Sequence, residues 1–385
     1  MLEKHERMLL SGNHAVAWGV KLAKPQVCPV YPITPQTPIL EKITDFINKG
    51  EMSAEIITPE SEHSAMAACI TASLTGSRVF TATSSQGLLL MHELLHYGAG
   101  NRASIVMFNV NRTVGSPWGF WPDQTDSISQ RDTGWIQFYS ESAQESLDTV
   151  ILAFRIAEQI NLPVMICHDA FYVSHAVEPV QVPGQEIVDA FLPPINRAHR
   201  LDPEIGQSVG SNAEQPTWRR NRMDMAEAMD ETLTLATEYS SEWGLLCGRE
   251  QYGIADRYRC DGAELIFVTM GSMCGTVREA VDAMRDNGRK AGLLKIKLFR
   301  PFPVAAVREA LNGTPSVLVL DRNFSPGLGG VLHQEIRSAL YGVDEPPLVY
   351  GHLAGVGGVS VSPEQIVQYA AMLIAKSPSF NSEWV

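Results

Sequence analysis

The amino-acid sequence predicts an α/β protein in which a parallel sheet is covered by helices on both faces. The main observation is a regular alternation of short β-rich apolar runs with segments of helical periodicity. The length of 385 residues exceeds what one ordinary domain needs. With 45% hydrophobic and 19% charged residues, the chain has enough apolar material for two buried cores.

The first strand–helix series lies in the first half of the chain. Residues 27–31 predict a strand that ends at Pro32, and Thr37 and Pro38 predict the cap and first position of an amphipathic helix. The series continues with strands at 54–58, 78–83, 104–110 and 164–168 and with helices at 60–74, 86–99 and 145–159. Ligands bind beyond the carboxyl ends of parallel strands, so we expect the site in the loops 32–37, 59–62, 84–87 and 111–116.

A second series follows an irregular segment. Residues 182–215 are rich in Pro, Gly, Ser and Asn, which predicts an excursion over the surface or onto a partner, and a helix is expected at 223–240. The second series has strands at 264–270, 292–299, 316–321 and 347–350 and helices at 274–287, 304–311, 328–340 and 363–375. We therefore expect two domains, at residues 1–255 and 256–385.

Charge and composition argue against several classes of protein. A net charge of −13 disfavours nucleic acid or an anionic membrane as the main partner, since both require a basic face. No apolar run of about 18 residues and no signal-peptide pattern are found, so we expect a cytoplasmic protein without a membrane span. The six cysteines are scattered and lack C-x-x-C spacing, which predicts buried thiols rather than zinc or iron–sulfur ligands.

Three short patterns allow both a structural and a functional interpretation. His92 and His96 belong to an H-E-x-x-H match, which can bind zinc on a helix, but the extended pattern with a third histidine is missing. The glycine runs at 327–330 and 355–358 complete no nucleotide-binding motif and predict tight turns. The basic cluster at 218–222 is either a solvated face or a docking site for an acidic partner subunit.

Five segments carry a family resemblance. They are YPITPQTP (31–38), ESEHSA (60–65), TATSSQGL (81–88), RDTGW (131–135) and KLFRPFP (297–303). In this order and spacing they resemble the α subunit of 2-oxoacid:ferredoxin oxidoreductases, such as pyruvate synthase. The resemblance extends from about residue 12 to about residue 330.

The resemblance implies an architecture, a reaction and partners. The implied fold is a thiamine-diphosphate-binding domain of the pyrimidine type, followed by a transketolase-C-terminal-like domain. A β subunit would bind the diphosphate and Mg²⁺, further partners would be a γ and a ferredoxin-like δ subunit, and the iron–sulfur clusters would lie only on partner subunits. The implied reaction is coenzyme A-dependent oxidative decarboxylation of a 2-oxoacid to an acyl-CoA and CO₂, with electrons passing to ferredoxin or, through a flavin subunit, to NAD. The chain would then be active only with these subunits.

The resemblance also assigns roles to residues in the loops. Glu62 matches the glutamate that contacts the aminopyrimidine ring of thiamine diphosphate, where the chemistry needs a carboxyl group. Arg112 matches the arginine that binds the carboxylate of the 2-oxoacid, and Thr34 matches a threonine that donates its hydroxyl to the same substrate. The residues expected to line the cofactor are Pro32, Ile33, Ser85 and Gln86. Without the resemblance, these positions would be interpreted as a helix-end charge, a surface ion pair and turn residues.

One segment departs from the pyruvate-using relatives, which usually continue after the arginine with a run like ALSAPINIW. Here residues 113–121 are TVGSPWGFW. Two glycines create room, and Trp118 and Phe120 supply aromatic faces, so we hypothesise a substrate bulkier than pyruvate, such as phenylglyoxylate. The alternative is that these rings pack against the β subunit. Another class of thiamine enzyme, a non-catalytic scaffold subunit and a zinc protease are the alternatives for the whole chain.

Overall fold

The computed structural model describes residues 5–197, 200–202, 204–249, 253–373 and 377–385. Within these residues the chain forms one sheet of seven strands, one of six strands and a separate two-stranded ribbon. The predicted α/β class is confirmed, since both large sheets are mainly parallel and strands alternate with helices.

The elements are numbered here in chain order. The strands are β1 (His5–Ser11), β2 (Val27–Pro29), β3 (Glu55–Ile57), β4 (Val79–Thr83), β5 (Ile105–Asn111), β6 (Ile136–Tyr139), β7 (Val164–Asp169), β8 (Val177–Pro183), β9 (Ala255–Tyr258), β10 (Leu265–Thr269), β11 (Ala291–Ile296), β12 (Leu298–Arg300), β13 (Ser316–Asp321), β14 (Leu348–Leu353) and β15 (Glu383–Trp384). The helices are α1 (Gly12–Ala23), α2 (Thr37–Asn48), α3 (Glu62–Leu74), α4 (Ser85–Leu90), α5 (His92–Gly100), α6 (Thr125–Ile128), α7 (Ala143–Ile160), α8 (Gln185–Phe191), α9 (Gln215–Cys247), α10 (Met273–Asp286), α11 (Val304–Leu311), α12 (Val331–Ala339) and α13 (Pro363–Met372).

The first sheet has the strand order β12-β6-β7-β5-β4-β2-β3. All of its strand pairs are parallel except β12 with β6, so the carboxyl ends of β2 to β7 lie at one edge. Every residue of the central strand β5 is buried, which shows that the sheet is covered on both faces. This edge is where the sequence predicts the functional loops.

The second sheet has the order β15-β14-β13-β10-β11-β9. It is parallel from β15 to β11, and only β9 runs antiparallel, beside β11. The ribbon pairs β1 with β8, which lie far apart in the sequence. The domain boundary near residue 255 stays a prediction, because β9 begins at residue 255 in the second sheet but the later strand β12 belongs to the first.

Local capping explains where several helices begin and end. Ser61 accepts a hydrogen bond from the backbone N–H of Ser64 at the start of α3, and Ser362 forms a full capping box at the start of α13. The long helix α9 has a proline in its first turn and ends at Gly248, whose φ of 62° fits the left-handed position that glycine favours. The observed helix α9 extends beyond both ends of the helix predicted at 223–240.

Two predicted elements are each divided in the structure. The helix expected at 86–99 is two helices, α4 and α5, which meet at Met91. The strand expected at 292–299 is β11 of the second sheet followed by β12, which leaves that sheet and pairs with β6. The ribbon strands β1 and β8, helix α1 and strand β6 were not predicted.

A buried ion cluster holds this crossing between the sheets. The ammonium groups of Lys295 and Lys297 lie 2.7 and 3.5 Å from Oε1 of Glu145 at the start of α7. Burial works against the charge of Lys295, but the carboxylates of Glu145 and Glu141 hold the pKa of its ammonium above the ordinary value. The KLFRPFP segment thus connects the second sheet to the first.

The irregular segment predicted at 182–215 contains one further helix, α8, and then no helix or strand among its described residues up to α9. Residues 198, 199 and 203 of this prediction lie outside the described residues. The exposed first turns of α9 carry the basic cluster at 218–222, in which Arg222 lies 5.0 Å from the ring centroid of Trp218. In the part of the chain that is described, no helix combines the length and the apolar character that crossing a membrane requires.

Candidate functional site

Four loops come together at the carboxyl edge of the first sheet. Thr34 follows β2, Glu62 begins α3 after β3, Ser85 begins α4 after β4, and Arg112 follows β5. Hydrogen bonds join three of these loops directly, and the side chain of Glu62, in the fourth loop, lies against Gly87 of α4. The structure therefore brings together the loops that the sequence predicted to converge.

Glu62 is a nearly buried carboxylate, with 8% of its surface exposed. It is the first residue of α3, where the partial positive charge of the helix end favours an anion. A Cβ atom on Gly87 would lie 2.6 Å from Oε1 of Glu62 and 2.5 Å from Oγ1 of Thr83. Only glycine therefore leaves the carboxylate in its present position, and the buried hydroxyl of Thr83 beside it has no hydrogen-bond partner among the residues that the structure describes.

Arg112 is a buried cation, 5% exposed, at the centre of the site. Its guanidinium donates one hydrogen bond to the carbonyl oxygen of Thr34 and one to Oε1 of Gln86, while its buried Nε has no partner within the described part of the chain. The ring centroids of Trp118 and Phe120 lie 5.4 and 5.6 Å from the guanidinium carbon. Burial lowers the pKa of Arg112, and nearby carboxylates, including that of Glu62, oppose this effect.

The segment of Ser85 and Gln86 is held in an uncommon backbone conformation. Ser85 has a φ of 45°, in the left-handed region that non-glycine residues seldom adopt. Its hydroxyl lies 2.6 Å from Oε1 of Gln86 and also donates to the carbonyl oxygen of Thr113. Such a conformation persists only where its surroundings fix it, and here those surroundings are site residues.

The loop of Pro32, Ile33 and Thr34 forms the outer rim. Pro32 and Thr34 are exposed and Ile33 is half-buried. The carbonyl oxygen of Ile33 accepts hydrogen bonds from the backbone N–H groups of Gln36 and Thr37, at 2.8 and 3.2 Å. The backbone of this loop is thereby fixed, while two of its side chains face outward, away from the sheet.

Asp126 is a central residue that the sequence analysis missed. It is fully buried, and its carboxylate accepts hydrogen bonds from the side-chain amides of Asn109 and Asn111 and from the backbone of Ser85 and Arg112. Burial raises the pKa of Asp126 to about 6, although the hydrogen bonds work in the opposite direction. The signal was two asparagines two residues apart in an apolar strand, since buried amides on one face need a shared polar partner.

The H-E-x-x-H histidines are engaged with protein groups. Nδ1 of His92 lies 2.5 Å from Oε1 of Gln130, and the rings of His92 and His96 are in edge contact with centroids 5.1 Å apart. Glu93 lies 3.5 Å from Nε2 of His63. Among the residues that the structure describes, no group of three or more His, Cys, Asp and Glu side chains is arranged to hold a metal ion.

The sequence matches two protein families along most of its length. Residues 18–241 match a family described as pyruvate flavodoxin/ferredoxin oxidoreductase, thiamine diphosphate-binding. Residues 263–366 match a family described as pyruvate:ferredoxin oxidoreductase core domain II. The fold and these matches together define the class of protein, a subunit of a thiamine diphosphate-binding oxidoreductase.

Two relatives are similar over nearly the whole chain. The chain is 44% identical over 379 residues to the pyruvate synthase subunit PorA of Methanothermobacter thermautotrophicus, a match covering 98% of this chain and 97% of the relative. It is 46% identical over 353 residues to the ketoisovalerate oxidoreductase subunit VorA of Pyrococcus horikoshii, covering 91% and 90%. The chain belongs to the 2-oxoacid:ferredoxin oxidoreductase family, as an α subunit, and enzymes of this family act with partner subunits.

Solved structures agree with the fold. A 2-oxoglutarate:ferredoxin oxidoreductase from Magnetococcus marinus, with 2-oxoglutarate, coenzyme A and succinyl-CoA bound, is similar with a TM-score of 0.74 at 20% identity. The match covers 96% of this chain and 65% of that longer chain. A split-gene transketolase is similar with a TM-score of 0.50 at 13% identity. The predicted family resemblance is confirmed, and it favours an oxidoreductase over the zinc-protease alternative.

Proposed function

We propose that this chain supplies the pyrimidine-facing half of a thiamine diphosphate site in an enzyme that oxidatively decarboxylates a 2-oxoacid to an acyl-CoA and CO₂. The observation that supports this most directly is the nearly buried carboxylate of Glu62, held against Gly87 and close to the Arg112 cation. A β subunit would provide the diphosphate and Mg²⁺ sites. Iron–sulfur clusters on partner subunits, which include a γ and a ferredoxin-like δ subunit, would carry electrons to ferredoxin or, through a flavin subunit, to NAD. The complex would be cytoplasmic.

The residues present fit the cofactor. The missing side chain at Gly87 leaves the Glu62 carboxylate in place, and next to it lies the hydroxyl of Thr83, for which the described residues provide no hydrogen-bond partner. The rim residues Pro32 and Thr34 are exposed, so this half-site is open to a partner surface and to small molecules. Thiamine diphosphate, when bound, supplies the electron sink for decarboxylation, which no amino-acid side chain provides.

The chain's own groups would have three tasks. Oε1 of Glu62 would hold a proton against a ring nitrogen of the cofactor and so fix the ring's tautomer. Arg112 would bind the carboxylate of the 2-oxoacid, exchanging its present contacts with Thr34 and Gln86 for contacts with the substrate. The hydroxyl of Thr34 would donate to the same substrate, and Pro32, Ile33, Ser85 and Gln86 would line the cofactor.

The aromatic rings beside Arg112 support a substrate bulkier than pyruvate, such as phenylglyoxylate. Trp118 and Phe120 are 56% and 44% exposed and lie edge to face, with centroids 5.2 Å apart. Two partly open rings next to the proposed carboxylate site could receive an aromatic or branched side chain of the substrate. Packing of the same rings against the β subunit is the competing explanation.

The decisive experiment compares Glu62→Gln with Glu60→Gln in the co-purified complex. Glu60 is an exposed carboxylate two residues away that accepts a hydrogen bond from Ser64, so it is a matched control. The assay is coenzyme A-dependent reduction of a viologen dye with pyruvate, 2-oxoisovalerate, 2-oxoglutarate and phenylglyoxylate. We expect Glu62→Gln to lose activity by about a thousandfold or more and Glu60→Gln to retain it.

Other outcomes would reject parts of the proposal. If Glu62→Gln retained full activity, the carboxylate would be only a helix-end charge. If the wild-type complex oxidised none of the 2-oxoacids, the scaffold alternative would be favoured. A strong preference for pyruvate over all bulkier substrates would eliminate the aromatic hypothesis while leaving the role of Glu62 intact.

A further inference from the structure

The carboxylate of Asp126 joins two segments that form the proposed site. Its Oδ2 accepts hydrogen bonds from the backbone N–H of Ser85 at 3.0 Å, from Nδ2 of Asn109 at 3.1 Å and from the backbone N–H of Arg112 at 3.3 Å. Its Oδ1 accepts from Nδ2 of Asn111 at 2.6 Å and from the backbone N–H of Ser127 at 2.8 Å. One side chain therefore holds together the end of β5, the residue that follows β5, and Ser85, which lies two residues beyond the end of β4.

The Ser85 contact matters because of that residue's backbone. A φ of 45° is unfavourable for serine, so this conformation requires an external constraint. The hydrogen bond from Ser85 to Asp126 supplies one on the side facing the sheet. The Ser85–Gln86 segment then reaches the Arg112 side chain, because Oε1 of Gln86 accepts a hydrogen bond from the guanidinium and lies 2.6 Å from the hydroxyl of Ser85.

We propose that Asp126 is a positioning residue for recognition of the 2-oxoacid, because its carboxylate sets the relative placement of the Ser85–Gln86 segment and Arg112 and so directs the guanidinium toward the substrate. This inference rests on the proposed role of Arg112. Asp126 itself is 0% exposed and does not touch the substrate. It acts indirectly. Its carboxylate accepts a hydrogen bond from the backbone N–H of Arg112, and the Arg112 guanidinium in turn donates to Oε1 of Gln86.

An asparagine at position 126 tests the idea with almost no change of shape. Both carboxylate oxygens accept only N–H donors, so whichever way the new amide is oriented, its NH₂ group meets N–H donors. If the NH₂ group replaces Oδ2, the N–H groups of Ser85 and Arg112 lose their acceptor. If it replaces Oδ1, those of Asn111 and Ser127 lose theirs. The unsatisfied donors should shift the two segments apart.

Asp321 offers a matched control in the second sheet. It is also fully buried, and its carboxylate accepts from the backbone N–H groups of Leu332 and His333, at 2.9 and 3.0 Å, and from Nδ2 of Asn323 at 2.8 Å. Its partners belong to α12 and to the loop between β13 and α12. Asp321→Asn should therefore reduce stability without affecting recognition of the 2-oxoacid.

The test measures steady-state kinetics of the co-purified complex carrying Asp126→Asn or Asp321→Asn, with its best 2-oxoacid as substrate. We expect Asp126→Asn to raise KM for the 2-oxoacid about tenfold or more, with kcat within about threefold and the bound thiamine diphosphate unchanged. A carboxylate contact is made in both the ground and transition states, which is why the loss should appear in KM. Asp321→Asn should leave KM unchanged.

The outcomes distinguish this inference from the proposed function. No activity in the wild-type complex would overturn the proposed function itself. If the wild-type complex is active and KM is the same in the wild type and both variants, only the role of Asp126 is overturned. The same conclusion follows if KM rises equally in Asp126→Asn and Asp321→Asn. If Asp126→Asn does not assemble, Asn111→Leu, which removes one donor and keeps the carboxylate, decides: a rise in KM of about threefold supports the role and an unchanged KM rejects it.

Discussion

The two parallel sheets each bury a carboxylate near the carboxyl ends of their strands, but the two carboxylates have different partners. In the second sheet, Asp321 ends β13 and accepts hydrogen bonds from the first backbone N–H groups of α12. Gly330 lies directly against it, with a hypothetical Cβ only 2.7 Å from Cβ of Asp321. The helix N-terminus, a position that suits an anionic ligand, is thus filled by a side chain of the protein itself.

In the first sheet, the buried carboxylate of Asp126 accepts a hydrogen bond from Ser85 at the start of the short helix α4, but it also binds two asparagines of β5 and the backbone N–H of Arg112. These segments lead outward to the guanidinium of Arg112, Gln86 and the exposed rim at Thr34, and the N-terminus of α3 carries the nearly buried Glu62. The carboxyl edge of the second sheet is therefore occupied by a side chain of the protein itself, whereas the same edge of the first sheet leads to exposed residues of the proposed site. The difference predicts that equivalent changes in the two halves will separate activity from stability.

The largest expected effect comes from adding one methyl group at Gly87 and, for comparison, at Gly330. In Gly87→Ala the Cβ would displace the flexible end of Glu62 and the hydroxyl of the buried Thr83, and the higher helix propensity of alanine, about 1 kcal/mol, offsets the resulting strain. We expect about a thousandfold loss of activity with little change in thermal stability. In Gly330→Ala the methyl meets the whole short side chain of Asp321, so we expect about 3 kcal/mol of destabilisation.

Dye-reduction kinetics and thermal unfolding of the two variant complexes check this prediction. In Gly330→Ala, KM for the 2-oxoacid should stay at the wild-type value. If Gly87→Ala were as active as the wild type, the position of the Glu62 carboxylate would be irrelevant to catalysis. If it lost stability as well as activity, the two halves would not differ in the way proposed.

The local parts of this architecture could be predicted from the sequence. The strand and helix series follow from periodicity and from residues such as Pro38 and Ser61, which act within a few positions of themselves. The convergence of Thr34, Glu62 and Arg112 follows from the rule that parallel strands end at one edge. Their roles, by contrast, came from the family resemblance and stay proposals.

Pairings between distant segments could not be predicted. Nothing near Leu298 indicates that β12 leaves its sheet, since its partner Phe138 lies 160 residues earlier and the ion cluster joins Lys295 to Glu145, 150 residues earlier. The position of Asp126 as a shared acceptor depends on burial, which a single acid in a loop does not reveal. Asn109 and Asn111 were the only local indication of it.

The next effect in size is a difference in how the two halves respond to pH. Burial raises the pKa of Asp321 to about 7 and that of Asp126 to about 6. Because both values lie above those of the unfolded chain, the folded state binds the extra protons, and its stability is greatest below about pH 4 and falls as pH rises through the folded pKa. For Asp321 the loss between pH 5 and 8 should be about 2–3 kcal/mol.

Amide hydrogen exchange in the first turn of α12 measures this locally, compared between the wild type and Asp321→Asn. The stability difference between the two proteins should shrink as pH rises from 5 to 8. The stability difference between the wild type and Asp126→Asn should change with pH only below about pH 6 to 7. A pH-independent difference for Asp321→Asn would show that its carboxyl group does not titrate in this window.

The smallest expected effect concerns the aromatic rings of the 113–121 loop, and it distinguishes contact with the substrate from packing against the β subunit. Trp118→Ala removes a cation–π contact of Arg112 at an exposed site, worth about 0.5–1 kcal/mol, so KM should change about two- to fivefold. The matched control is Trp384→Ala, which removes an equally exposed ring that packs on Phe324 at the edge of the second sheet. If the ring contacts the substrate, KM should rise more for phenylglyoxylate than for pyruvate. If it packs on the β subunit, all substrates should change alike and the complex should dissociate more readily.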